Sequence, residues 1–244
     1  MRARRIHHWP LAGLIALACA CSGSDLTEGL PDAGIEPEDA AVCETDKHLT
    51  LFINHEGGTY LPGPDNAANN VMSFLVMSRT MPANDFTATE RTEILTCVQN
   101  HLAPYNITVV DQDPSPTQHN EVIVTSQSSA DYSRPTNEEG WSPPSCQNGG
   151  FESVSIIFGD QAGGHLTPDR VCQLVVWTAQ SNANLDSHVD CRQIGSWLEP
   201  CEPAILDEEL SCGQFKAEDC SCGGTTQNPH RAMLERYGPP CTGE

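Results

Sequence analysis

The chain has 244 residues, with 33 acidic side chains against 12 basic ones, a formal net charge of −21, and 12 cysteines. A protein this acidic repels a phosphate backbone, which excludes nucleic-acid binding as a function class. Its length suffices for one domain with a sizeable core.

Arg2, Arg4 and Arg5 precede a short apolar run from Leu11 to Ala20. That run is too short to cross a bilayer and has the make-up of a cleaved export signal. Leu17-Ala18-Cys19 and Cys19-Ala20-Cys21 both place a small residue before a cysteine, as bacterial lipoprotein signals do. The expected arrangement is a signal peptide over 1–20 and a lipid on Cys21, with Cys19 the alternative site. An ordinary secretory signal without lipid is the rival. Cleavage before Cys21 removes three arginines and no acid, leaving a net charge of −24. Residues 21–46 are acidic and rich in Gly, Pro and Ala, with Asp32, Glu36, Glu38 and Asp39 among the charges. Such a stretch lacks the apolar surface to fold and reads as a tether. The domain then occupies 47–244.

Leu49 to Asn54 reads as a buried strand, and Glu56 to Asn70 carries the Gly and Pro chemistry of a loop. Thr87-x-x-Glu90 is a capping box opening a helix with Ile94, Leu95, Val98 and Leu102 on one face, and Pro104 ends it. Asn106–Val110, Glu121–Thr125 and Ser153–Phe158 read as strands, with the polar stretch 126–150 as loop. A helix from about Asp169 to Ala183 has Pro168 in its first turn and Asn184 as a left-handed cap. It is apolar on two faces, which predicts a buried, central helix. Residues 190–224 are cysteine-studded and irregular. A last short helix begins at Asn228-Pro229, turns Met233, Leu234 and Tyr237 inward, and stops at Gly238-Pro239-Pro240. This order gives an α+β fold, α/β-like in its alternation, with a loop-rich C-terminal part over 190–244.

Ten cysteines remain after Cys19 and Cys21, an even number that implies up to five disulfides in an exported chain. Short spacings suggest Cys191–Cys201 and Cys212–Cys222. Cys97, Cys146 and Cys172 should lie near one another, and Cys43 pairs with Cys241. Cys220-Ser221-Cys222 is the nearest approach to a zinc-type C-x-x-C motif and does not make one.

Several pieces share an order with a known group: Leu51-Phe52-Ile53-Asn54 with Gly57-Gly58-Thr59-Tyr60; Ala103-Pro104-Tyr105-Asn106; His119 with Glu121; Val171-Cys172-Gln173; Leu185-Asp186; Cys191; and Cys222-Gly223-Gly224-Thr225-Thr226-Gln227-Asn228. Over residues 48–238 the chain resembles secreted bacterial metzincin-like zinc metalloproteases. The resemblance implies a zincin-like mixed sheet with a central helix bearing H-E-x-x-H-x-x-G-L-D-H. Two histidines four apart share a helix face and grip one ion, while the Glu serves as base for the zinc-bound water. With Leu185-Asp186 and Cys191 fixing the register, the ligand positions hold Trp177, Ser181 and Ser187, the base position Thr178, and the turn glycine position Asn184. Where the family has Asp-Pro-Met-x-Tyr, this chain reads Gln193-Ile194-Gly195-Ser196-Trp197. Trp has no lone pair to give and neutral Ser is a poor zinc ligand.

His188, between Asp186 and Asp190, is the remaining metal candidate, otherwise a solvated surface histidine. His55-Glu56 stands before Gly57-Gly58 and reads as a turn, and His119 and His165 fall in loops. The expectation is therefore a non-catalytic, lipid-anchored envelope protein without cofactor that binds a peptide or protein and reaches the membrane through its N-terminal lipid. A zinc metallopeptidase with a relocated site and a structural envelope lipoprotein are the alternatives.

Overall fold

A computed structural model describes residues 45–143, 146, 151–161, 164–194, 196 and 204–241. The expected export signal, residues 21–44 of the expected tether, the candidate lipidation cysteines Cys19 and Cys21, and Cys43 and Cys201 lie outside the described residues.

The elements in chain order are β1 (Leu49–Asn54), β2 (Gly58–Pro62), β3 (Val71–Met72), β4 (Arg79–Met81), α1 (Ala88–Leu102), β5 (Ile107–Val110), β6 (Asn120–Thr125), β7 (Gly140–Trp141), β8 (Val154–Phe158), β9 (Asp160–Gln161), β10 (Gly164–His165), α2 (Pro168–Asn182), β11 (Leu210–Ser211), β12 (Thr226–Gln227) and α3 (Pro229–Tyr237). The fold is α+β. Its main sheet has the order β5-β1-β6-β8-β7. The first four are mutually parallel, and β7 closes one side antiparallel to β8.

Alternation along the strands assigns the faces, because paired residues in register point the same way. Leu49, Leu51 and Ile53 of β1, Val122 and Val124 of β6 and Ile157 of β8 join Ile94, Val98 and Leu102 of α1 and Val171 and Val175 of α2 in one core. On the opposite face Ile123, Val154, Ile156 and Phe158 meet Tyr60, Met72 and Met81 from the small sheet β3-β2-β4. Strands β6 and β8 are therefore covered on both sides, and every residue in each is buried. That coverage explains the consecutive apolar residues Val122-Ile123-Val124 and Ile156-Ile157-Phe158.

The expected helix signals operate. Thr87 and Glu90 form the reciprocal capping box of α1. In α2, Pro168 occupies the first turn, Thr167 caps Arg170 N, and Asn184 adopts φ 64° just beyond the end. Ten of the fifteen residues of α2 are buried, as its two apolar stripes require. Helix α3 packs on α2, with the Tyr237 hydroxyl donating to Ala179 O at 2.9 Å.

The stretch 56–70 departs from expectation, since it holds β2 and not only loop. Its Gly and Pro residues bracket a short strand that exists because Gly58–Tyr60 pairs with Arg79–Met81, a partner some twenty residues away. Gly57 sets up that pairing: at φ 68° a Cβ there would stand 2.1 Å from Met81 O. The loop 126–150 likewise contains β7, which is ordered by β8.

Disulfides join Cys97 to Cys172, Cys146 to Cys222 and Cys212 to Cys220. The first ties α1 to α2. Cys146 is thus not grouped with Cys97 and Cys172, and Cys212–Cys222 is corrected to Cys212–Cys220. Cys191 and Cys241 are also disulfide-bonded. Bonded cysteines fit a chain exported to an oxidising compartment. Among the described residues no helix is long and apolar enough to cross a membrane.

Candidate functional site

Helix α2 runs beneath the core and presents its less buried side next to strand β7. Trp177, one of the few half-exposed residues in the helix, reaches that strand: its Cζ3 lies 3.6 Å from where a Cβ on Gly140 would be. One turn on, Ser181 is half-buried on the same side. Beyond the left-handed Asn184 the chain doubles back. Asn184 N donates to Ser181 O and Leu185 N to Gln180 O, which fixes the direction of the segment 185–188.

Gln227 of β12 holds that segment in place. Its Oε1 accepts from Asp186 N, and its Nε2 donates to Asn184 O, both at 2.9 Å. Asp186 in turn accepts from Ser221 N at 2.6 Å and from Ser221 Oγ at 2.8 Å. Ser187 O takes Gly213 N at 2.9 Å. The result is a cavity of about 200 Å³ whose wall includes Trp177, Ser181, Asn184, Asp186 and Ser187, with Ser142 and Pro143 following β7 and the Cys146–Cys222 disulfide at its margin. A second hollow of about 410 Å³ adjoins it, sharing Ser142, Trp177 and Gln214 and adding Arg134, Trp141 and Phe215. Phe215 is 74 % exposed. Behind the edge strand, Arg170 of α2 donates to Glu139 from Nε at 2.9 Å and from Nη2 at 2.5 Å, fastening the residue that precedes β7.

The three candidate ligand positions Trp177, Ser181 and Ser187 thus line one cavity. Thr178 does not: its side chain is buried in the core and its hydroxyl donates to Val175 O at 2.7 Å. The cavity wall offers hydroxyls, an indole, amides and one carboxylate already engaged by Ser221. Among the described residues it contains no histidine. Among the described residues, three metal-type donors approach one another at Cys97, His101 and Cys172 and at Asp186, Cys212 and Cys220. Each group contains both sulfurs of a disulfide, which leaves one usable donor apiece. The described residues of this cavity do not fit a zinc ion, which needs three or four protein ligands.

His188 is not a surface residue. It is 0 % exposed, neither ring nitrogen has a hydrogen-bond partner, and burial pushes its pKa down to about 4 against the pull of Asp186 and Asp190. The sequence context, two aspartates and a serine, gave the opposite impression, because the covering chain around Cys212 comes from further along. His55 is the turn residue expected, yet it too is buried. His119 is buried with its ring edge-on to Phe52, while His165 is exposed beside Asp160.

Sequence reasoning missed Ser142, Gln214 and Ser221, which reach the cavity from loops with no local signal. No family model, curated protein or solved structure matches the chain.

Proposed function

We propose that this chain is a degenerate metzincin-like protein, lipid-anchored at the cell envelope, which binds an extended peptide or protein segment without cleaving it. The observation that carries the reading is the convergence of Trp177, Ser181 and Ser187 on one cavity beside β7. These are the positions the resemblance assigns to zinc ligands, and here they supply an indole and two hydroxyls. Two further features support it. Strand β7 ends the main sheet among the described residues, and a sheet edge is where an added strand pairs through its main chain. The adjoining hollow offers Trp141, Trp177 and Phe215 as anchors, the residue types that dominate peptide recognition.

A ligand laid antiparallel along β7 would receive affinity from backbone hydrogen bonds and selectivity from the side chain seated among the three aromatic rings. The test combines two measurements on the mature chain. Metal content after dialysis, with peptide cleavage assayed with and without chelator, should show neither zinc nor cleavage. Binding of extended peptides carrying an aromatic or branched apolar residue should weaken at least tenfold on Trp177→Ala. Stoichiometric zinc with chelator-sensitive cleavage would overturn the proposal.

A further inference from the structure

A second polar cavity, of about 240 Å³, lies at the C-terminal end of β1 and shares no residue with the one beside β7. Its lining includes Glu121, the second residue of β6 and 2 % exposed. The carboxylate is used unevenly. Oε1 accepts from Asn54 Nδ2 at 2.7 Å and from the Tyr60 hydroxyl at 2.6 Å. Oε2 is buried and has no partner. Asn54 is in turn held by the turn that follows β1, its Oδ1 accepting from Glu56 N at 2.8 Å and Gly57 N at 2.9 Å. The glutamate's supports are therefore fixed, while one oxygen is left over.

His55 lines the same cavity and is also incompletely bonded. Asn84 Oδ1 accepts from Phe86 N, so the Asn84 nitrogen is the atom that donates to His55 Nδ1, at 2.8 Å. The ring is neutral, since burial pushes its pKa down to about 4. With Nδ1 accepting, the proton sits on Nε2, which is buried and has no partner. Two residues of the wall, Glu121 and His55, thus each carry one buried side-chain atom without a partner. Buried polar atoms left this way are costly and uncommon in folded proteins.

The charge of the wall chooses between ligands. Glu56, Asp111, Asp113 and Glu121 face a single guanidinium, that of Arg91, already paired with Glu56. An anion is excluded by this surplus of carboxylates. A bare divalent cation is disfavoured as well. Calcium takes six to eight oxygens, and no three metal-type donor atoms of this wall lie within 4.8 Å of one another among the described residues. We infer that this cavity binds an organic ammonium group carrying an adjacent hydrogen-bond acceptor, with Glu121 receiving the ammonium and His55 donating to the acceptor. A free small amine and the N-terminus of a peptide share that chemistry.

The experiment is titration of the mature chain at neutral pH, followed by calorimetry and by the imidazole ¹⁵N signals of His55. The probes are glycinamide, which has both groups, acetamide, which lacks the charge, and calcium chloride. Glycinamide should bind saturably and shift the His55 Nε2 signal, with acetamide at least tenfold weaker. Glu121→Gln keeps an oxygen for Asn54 and Tyr60 and should weaken glycinamide at least tenfold. If that variant fails to fold, the wild-type His55 signal and Asp113→Asn, which removes one charge from the rim, carry the test. Triglycinamide binding tenfold tighter than glycinamide identifies a peptide N-terminus, and equal binding a free amine. Equal response to acetamide, unchanged affinity in Glu121→Gln, or displacement of glycinamide by stoichiometric calcium would each overturn the inference.

Discussion

The stretch from β1 to α2 and the stretch after it are held together by different means. In the first, two helices and a small sheet cover the main sheet, and the bonds that matter are apolar contacts between residues at or near zero exposure. In the second, residues 183–241, Leu185, Ile194, Met233 and Tyr237 reach the same core, and the chain between them carries short two-residue strands, side-chain bonds from Gln227 and Asp186, and disulfides. A chain segment with few apolar residues folds only if something else restrains it, and cross-links are the usual substitute. The cavity beside β7 lies where these two kinds of structure meet: α2 and β7 supply one wall, and the cross-linked segment supplies the other.

The contrast can be broken most severely in the core. Ile157→Ala empties a fully buried site and should cost about 4 kcal/mol in a urea titration, whereas Ile205→Ala, half-buried in the second stretch, should cost about 1 kcal/mol. Similar losses at both sites would mean that the two stretches are stabilised alike. Next in size is the eight-residue Cys212–Cys220 loop. Chain-entropy arguments give about 2.5 kcal/mol for replacing both cysteines by alanine. Hydrogen exchange should show the loss confined to residues 204–227, with β1, β6 and β8 still protected. Loss of protection throughout the sheet would contradict the division.

Acid sharpens the comparison further. His55 belongs to the first stretch and His188 to the second, and burial lowers both to about 4. The folded form therefore binds fewer protons than the unfolded form between about pH 4 and the free-histidine value of about 6.5. Stability is fully present above that window and falls as pH drops through it, by about 2 kcal/mol per histidine at pH 5. Glu121 acts in the opposite sense. Burial raises its pKa, so its contribution is present at low pH and is lost as pH rises through the folded value. His188→Leu should remove one histidine's share of the acid loss, read as a smaller drop in stability between pH 7.5 and pH 5. An unchanged drop would show that His188 is solvated. The smallest effect is local: Thr87→Ala removes the α1 capping box and should cost about 1 kcal/mol by thermal unfolding.

What could be read from the sequence follows the same division. β1 was legible to the residue, and α1 and α2 nearly so, because hydrophobic period, Thr87-x-x-Glu90 and Pro168 are local signals. β2 was not legible, since its partner β4 is remote and its own residues carry turn chemistry. The partner of Cys212 was equally out of reach. Closing a loop to Cys220 or to Cys222 differs by only about 0.2 kcal/mol in chain entropy, so spacing does not decide it. At the candidate site, α2 placed Trp177 and Ser181 through helical periodicity, but Ser142, Gln214 and the burial of His188 depend on how distant loops fold back.

The strand order also bears on how the protein is made. β7 precedes β8 in the chain yet hydrogen-bonds only to it within the main sheet. A polypeptide emerging N-terminus first therefore exposes the Gly140–Trp141 segment before its partner has appeared, and α2 with the Trp177 that packs beside it arrives later still. The β7 edge is consequently among the last parts of the main sheet to be assembled, after β1, β5 and β6 can already have joined. A chain interrupted before residue 154 contains β1, β5 and β6 but lacks β8, the strand on which β7 is ordered.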